Sequence, residues 1–479
     1  VTGARRLAPP AIEARSIDYV PAAERHGRVI DQGPFWFLGN FHFVSIALGF
    51  VGPSLHLSLT WTAVSGTCGI LFGGVFQAFH ASQGAEMGLP QMIQSRAQFG
   101  YRGVVVPLAG ALFTFVGFNV VDTMLVAQGL HGVWGVDARA TAVALAAVAA
   151  GLAIWGHDWL HGVFKALFRI SLPLFGVLTG WVLAGGVAPE PTGTGVGGFA
   201  WPGFLTQFAA AASYNITYAP YVSDYSRYLP RTTHRGAIIA SVFAGASLSA
   251  IWLIWLGAWL ATRMGATDGL VALVRAGDRL FTGFGGVLAA VSVAALTATM
   301  GMNAYSGMLT AVTGADSLRP FHPRRRTRVT VVLILAAIWL APALVLGGDA
   351  VDALGAILVM MLYLLAPWTA VNLVDYFWLR KGRYAVLDLA EPAGIYGAFG
   401  ARGLAAYFIG FFASVPFFVV PGLWTGPAAK ALGGVDLAWL VSLAAAALAY
   451  LIASRGFRLA REAPAIAASE DALAVIDAG

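Results

Sequence analysis

AAAASYNITYAPYVSDYSRYLP, residues 209–230, decides how the chain is read. It opens as an apolar helix and turns polar where hydrocarbon should surround it: Ser213, Asn215 and Thr217 fall within five residues. Pro220 follows, and it cannot donate a backbone hydrogen bond to the turn before it. Asp224 and Arg227 then stand three apart, on one helical face. Polar, broken backbone at membrane depth needs protein or water around it, because lipid satisfies none of the freed groups. The stretch therefore reads as half of a substrate site inside a membrane protein.

Composition supports that setting. Of 479 residues, 58% are hydrophobic and 11% charged, whereas soluble domains carry about 25% charged residues. Apolar runs of about 20 residues recur, with the charges clustered between them, which defines helical spans. The alternation of a transmembrane barrel is absent. A net charge of +6 reads as basic loops on the cytoplasmic side, and no nucleic-acid partner is expected. Cys68 is the only cysteine, which excludes an intrachain disulfide. Cys and His show no metal-ligand spacing along the chain, so neither a metal site nor a cofactor is expected. A GxxxxGK[ST] loop is lacking, which argues against ATP-driven pumping. The glycine-rich stretch 193–198 reads as a linker in an outer loop.

Residues 1–33 form a polar tail with Arg5, Arg6, Arg15, Arg25 and Arg28 beside Glu13, Asp18, Glu24 and Asp31. It has no apolar core of signal-peptide length and is expected to be a cytoplasmic arm. Hydropathy places twelve spans after it. With the tail inside, the inner segments hold 24 of the 29 Lys and Arg, and the outer loops hold five. That is the positive-inside pattern, with both termini cytoplasmic. The spans fall into two blocks of five, 34–187 and 204–377, followed by two more at 404–454 and a cytoplasmic tail, 455–479. An odd number per block makes the halves inverted. Each block opens on a breakable helix, with Gly49, Gly52 and Pro53 in the first and Pro220 in the sixth span. Paired interrupted helices in inverted repeats point to a transporter's binding site.

Asp122 stands out in GFNVVDTMLVAQGL, deep in the third span, with Asn119, Thr123 and Gln128 near it. An acid at the bilayer centre costs about 2.5–3.5 kcal/mol on insertion scales, so it has to face protein or a wet cavity. It is expected either to accept hydrogen bonds from a substrate's N–H edge or to carry a coupling proton. Span eight reads LTATMGMNAYSG, with Thr297, Thr299, Asn303 and Ser306 on one broad face. Thr and Ser often bond back to their own helix; an amide needs partners elsewhere. His42 and His80 read as hydrogen-bonded structure. Asp224 and Arg227 form either a gate or an interfacial ion pair. Phe118, Tyr214 and Tyr218 flank the polar positions, where each face contact with a planar ligand is worth about 0.5–1.5 kcal/mol.

GLPQMIQSRAQFGYRG (88–103) resembles the cytoplasmic signature of the nucleobase:cation symporter-1 family, and SYNITYAPYVSDYSRYLP (213–230) resembles the sixth-span signature of its purine–cytosine permease branch. FWFLGNFHFVSIALGFVGP (35–53) and the NAYS at 303–306 are similar too. The resemblance implies an all-α integral membrane protein with a leucine-transporter-like fold, five plus five inverted spans and two extra. It implies alternating access, with the site between spans one, three, six and eight. By motif, substrate contacts fall on Phe118, Asp122, Ser45, Ser213, Tyr214, Asn215, Thr217, Thr299 and Asn303. Cation coupling falls on Asp122, Thr297 and Ser45. Two positions depart from the family. Asp122 stands where an amide is usual, and an ionised acid only accepts. Ala298 replaces the second span-eight hydroxyl of sodium-coupled relatives, which favours a proton over sodium as the coupling ion.

The expected function is import of a nucleobase or related planar heterocycle across the cell membrane, coupled to a cation. A vitamin or ureide cargo (pyridoxine, thiamine or allantoin) fits the same fold, and an amino-acid carrier or a channel is a more distant alternative. With no nucleophile–base pair or metal cluster in view, an enzyme is not expected.

Overall fold

The computed structural model describes residues 12–13, 15–188, 190, 197–345 and 350–478, apart from the side chains of 350–354. Arg5, Arg6 and most of the 193–198 linker lie outside the described residues. Eight helices are long and apolar enough to cross a bilayer: Leu59–Met87, Val105–Trp134, Ala138–Trp155, His157–Leu183, Arg235–Met264, Phe284–Leu318, Arg325–Val345 and Gly355–Leu379. They are spans two to five and seven to ten. Span one is a broken pair, Val29–Gly39 and Phe43–Ser54, bent by 62°. Shorter apolar helices, Trp201–Ile216, Ala401–Ser414 and Ala438–Ala453, stand at spans six, eleven and twelve. The result is the expected five-plus-five order with two further spans.

Packing divides these helices into two groups. Spans one, two, six and seven pack on one another, and spans three, four, eight and nine do likewise. Both broken helices belong to the first group, and the polar positions of spans three and eight face it from the second. The chain ends in a helix, Ala463–Ala478, where the sequence reading has only a tail. Its Asp477 accepts from Tyr19 Oη (3.1 Å) and Ala22 N (2.8 Å), which docks it on the N-terminal arm.

The first-span break lies at Asn40–His42, about ten residues before the Gly49–Pro53 region expected to supply it. Gly49 has a different role. A Cβ there would lie 2.3 Å from Ile254 O, and a Cβ on Gly257 would lie 1.9 Å from Ile46 O. The outer half of span one and span seven touch backbone to backbone, which only paired glycines allow. Gly257→Val is therefore expected to destabilise the fold by at least the roughly 1–3 kcal/mol of overpacking. The measurement is the unfolding midpoint of purified protein in detergent; an unchanged midpoint would contradict the contact.

Span six breaks as its proline predicts. Trp201–Ile216 gives way to a turn at 217–221, and a short helix, Val222–Ser226, follows. Across the turn the chain tightens to i→i−3 bonds: Tyr218 N to Asn215 O, Ala219 N to Ile216 O, and Tyr221 N to Tyr218 O.

Candidate functional site

The two breaks are stitched to each other and to spans seven and eight. Gly39 O, freed at the first break, accepts from Tyr218 Oη at 2.9 Å and lies 3.1 Å from His42 Nε2. Asn40 O accepts from Ser45 Oγ at 2.5 Å, and Phe43 N donates to Ser292 Oγ of span eight at 2.8 Å. Asn40 Nδ2 donates to Asn215 Oδ1 and to Ala246 O, both at 2.9 Å. Further out, Gln207 accepts from Gly52 N (2.8 Å) and donates to Leu48 O (3.1 Å). All but the Asn40–Asn215 side-chain pair satisfy backbone groups that lipid would leave bare.

These bonds sort the polar residues of span six. Ser213 Oγ donates to Leu358 O of span ten at 3.0 Å, Asn215 is held by Asn40 and by Ile70 O, and Thr217 Oγ1 donates to Tyr214 O at 2.8 Å. Ser213 and Asn215 thus hold neighbouring helices, and Thr217 bonds within its own segment. Thr297 and Thr299 donate to Val293 O (2.8 Å) and Ala295 O (3.2 Å) of their own helix. Ser45 Oγ lies 3.1 Å from Tyr214 Oη.

A second set does converge. Phe118 and Tyr218 have parallel rings, 18° apart in plane, with centroids 6.4 Å apart. Tyr214 closes the corner, edge-on to Phe118 at 6.5 Å and to Tyr218 at 5.8 Å. Asp122 follows Phe118 by one helical turn and is within electrostatic reach of Tyr214, Tyr218 and Tyr221. Among the described residues no charged group and no hydrogen-bond donor sits against its carboxylate. Asn303 Nδ2 donates to Asn119 Oδ1 at 3.1 Å, and Asn119 Nδ2 donates to Met300 O at 3.1 Å. Asn303 Oδ1 and Tyr221 Oη are buried without a partner among the described residues. Asp122 is only 3% exposed and Phe118 5%, so this cluster is buried.

Sequence reasoning named Phe118, Tyr214 and Tyr218 as a possible stack and Asn119 as a neighbour of Asp122, but it missed Tyr221. The signal was present: Tyr214, Tyr218 and Tyr221 recur at helical spacing.

The face that carries the N-terminal arm is sealed by a buried ion cluster. Asp224 and Arg227 do not pair as the sequence suggested. Asp224 Oδ1 accepts from Gln91 N at 2.9 Å, and Arg227 Nη2 turns to Glu13 Oε1 at 3.2 Å. Glu13 Oε1 also accepts from Tyr305 Oη (3.0 Å) and Tyr228 Oη, while Oε2 takes both Arg328 Nη1 (2.9 Å) and His157 N (3.0 Å). One carboxylate of the arm thus bridges spans five, six, eight and nine. Burial opposes its ionisation, but Arg328, Arg227 and His157 outweigh that and hold its pKa below the ordinary carboxylate value. Nearby, Arg96 of the 88–103 motif donates to Asp316 Oδ2 (2.8 Å) and Ser317 Oγ (2.9 Å), which ties the loop between spans two and three to span eight.

Two broken helices, an internal acid with no counter-charge among the described residues and a seal across one face define a secondary transporter of the leucine-transporter-like fold. The comparisons agree. A family described as permeases for cytosine/purines, uracil, thiamine and allantoin matches residues 19–442, and the chain belongs to that family. It is 33% identical over 445 residues to a Bacillus subtilis (strain 168) protein provisionally named a purine–cytosine permease, covering 92% of this chain and 95% of that one. It is 24% identical to a purine–cytosine permease of Emericella nidulans, over 92% and 88% of the two chains. Among solved structures it is similar to Mhp1, a nucleobase–cation symport-1 family transporter in a closed conformation with bromovinylhydantoin bound. The TM-score is 0.73 and the identity 19%, over 95% of this chain and 98% of that one. A sodium-coupled sialic acid symporter has the same fold, with TM-score 0.62, 13% identity and coverage of 91% and 92%. The chain is a multi-pass membrane transporter and not an enzyme.

Proposed function

We propose that this transporter imports a nucleobase of the cytosine or purine type, or a related planar heterocycle, across the cell membrane together with a proton. The observation that carries the reading is the aromatic slot beside an uncompensated acid. A flat ring touching both Phe118 and Tyr218 needs about 7 Å between them, twice the optimal carbon–carbon separation, and the rings stand 6.4 Å apart. A small opening of the helices admits a planar base. Asp122 then faces the ligand's edge, with Asn303 Oδ1 and Tyr221 Oη as further polar contacts.

The same acid supports proton coupling. A buried carboxylate without a counter-charge needs a proton or a donor-rich ligand edge to be tolerated. Loading proton and substrate together permits closure; release of the proton on the other side weakens the ligand contact. A ligand shifts such an equilibrium only by its differential affinity for the two states. Ala298, which has no side-chain oxygen, argues against a sodium site between spans one and eight. The excess of Lys and Arg on the side of the arm supports placing that side, and both termini, in the cytoplasm.

A second reading is favoured by the free acid itself. A cationic heterocycle of the thiamine kind would neutralise Asp122 without a proton. The test is uptake of radiolabelled cytosine, adenine, hypoxanthine, thiamine, pyridoxine and allantoin by cells expressing the protein, with sodium present or replaced by choline. Uptake of a neutral base that survives sodium replacement and collapses with a protonophore is the expected result. Strict sodium dependence would overturn the coupling assignment, and uptake of thiamine alone would select the second reading.

A further inference from the structure

No metal-ligand spacing marks His26 in the sequence, because the adjacent pair His157 and Asp158 lies more than a hundred positions away from it. The structure assigns His26, His157 and Asp158 to a divalent-cation site on the arm side, built for zinc or a similar borderline metal, that clamps the arm to span five. His26 Nε2 and His157 Nδ1 each lie 2.9 Å from the same atom, Asp158 Oδ1. The three ligand atoms are all within 4.8 Å of one another.

The outer nitrogens fix what faces the centre. His26 Nδ1 lies 2.7 Å from Glu24 O, and His157 Nε2 lies 3.3 Å from Tyr225 O. A carbonyl oxygen only accepts, so each of these nitrogens carries the hydrogen. The inner nitrogens both face the same carboxylate oxygen at hydrogen-bond distance. Two imidazole nitrogens and one carboxylate oxygen thus converge on one point, a donor set that a divalent cation takes in place of the protons shared there. Ring N–H groups donating to backbone carbonyls are also the usual outer support of metal-bound histidines.

The donor set is two imidazole nitrogens and one carboxylate oxygen, which suits zinc with a fourth position left open. Bonds of about 2.0–2.2 Å around a tetrahedral zinc set its ligand atoms roughly 3.4 Å apart, so both nitrogens draw back from Asp158 Oδ1 by about half an ångström as the metal enters. The mobile partner is available: His26 and Asp158 are 57% and 43% exposed, whereas His157 is buried at 6%. The clamp matters because the arm that carries His26 also carries Glu13, and Glu13 Oε2 accepts from His157 N. A metal at this site holds the arm over the seal.

The experiment titrates tag-free, purified full-length protein with zinc chloride by calorimetry and follows hydrogen–deuterium exchange of the arm. The expected result is one tight zinc per chain, weakened at least tenfold by His26→Ala and by Asp158→Asn, with slower exchange at residues 20–30 in the wild type only. His26 stands on the exposed arm, so its variant folds even if changes at His157 do not. Binding that His26→Ala leaves intact would overturn the site. So would no binding below 1 mM, which marks an imidazolium–carboxylate cluster, or binding that leaves exchange of the arm unchanged.

Discussion

Asp122→Ala is expected to lower uptake at limiting substrate by one to two orders of magnitude and to flatten its pH dependence. A hydrogen bond to a charged group contributes about 1.5–3 kcal/mol, and each 1.4 kcal/mol is tenfold in affinity. Nothing else in the wall replaces the contact, since no other acid and no basic partner stands beside Asp122 among the described residues. The fold itself is not expected to suffer. The carboxylate has no protein partner to leave orphaned, in contrast to a buried ion pair. Purified variant should therefore melt at or above the wild-type temperature while failing to concentrate substrate.

Asp122→Asn separates its two roles. The amide keeps an acceptor and gains donors but cannot exchange a proton. If Asp122 carries the coupling proton, the asparagine variant binds substrate and exchanges labelled for unlabelled substrate across a membrane. It does not accumulate it against a gradient at any pH between 5 and 8. If the acid only reads the ligand's edge, accumulation survives with altered preference among the bases. Unchanged uptake and pH dependence in both variants would remove Asp122 from the mechanism.

The architecture was largely legible because it is written in composition. Apolar runs of bilayer length and the one-sided placement of Lys and Arg require no tertiary information. Asp122 was legible for a related reason, since an acid inside a span is conspicuous at once. Asn215 shows where this stops. A polar residue in a broken helix looks the same in sequence whether it serves a ligand or a neighbouring helix. Only the partner, Asn40 at 2.9 Å, decides. The first break was misplaced because glycine and proline mark both bends and close packing; Gly49 and Gly257 serve the latter. Glu13 had no signal at all. It is one acid in a polar arm, and its meaning comes from two arginines more than 200 positions away.

That acid carries the second large effect. Glu13→Ala should open the arm side of the transporter. Arg227 and Arg328 are 0% and 1% exposed, and removing the anion between them strands two buried charges. Breaking a buried pair in this way costs about 3–5 kcal/mol. The chain relieves that cost by letting the guanidinium groups reach water, which means lifting the arm and parting spans six and nine. Three kcal/mol is about two orders of magnitude in a two-state equilibrium, enough to take a 99:1 preference for the sealed state to near parity. Trypsin should then cut at Arg15 and Arg25 many-fold faster than in the wild type, and net accumulation should fall because the seal no longer holds. Glu13→Gln, which keeps hydrogen bonds to Tyr228 and Tyr305 but not the charge, should fall between the two. Unaltered protection of the arm in Glu13→Ala would mean that the cluster is not a seal. The pH dependence has a definite sign. Glu13 has its pKa lowered by Arg328, Arg227 and His157 against the opposing effect of burial. Its contribution is therefore complete above the unfolded value of about 4.3 and is lost only as pH falls below that, through the folded value. Between pH 5 and 8 protection of the arm should stay constant. A change in uptake across that window then belongs to a group other than Glu13.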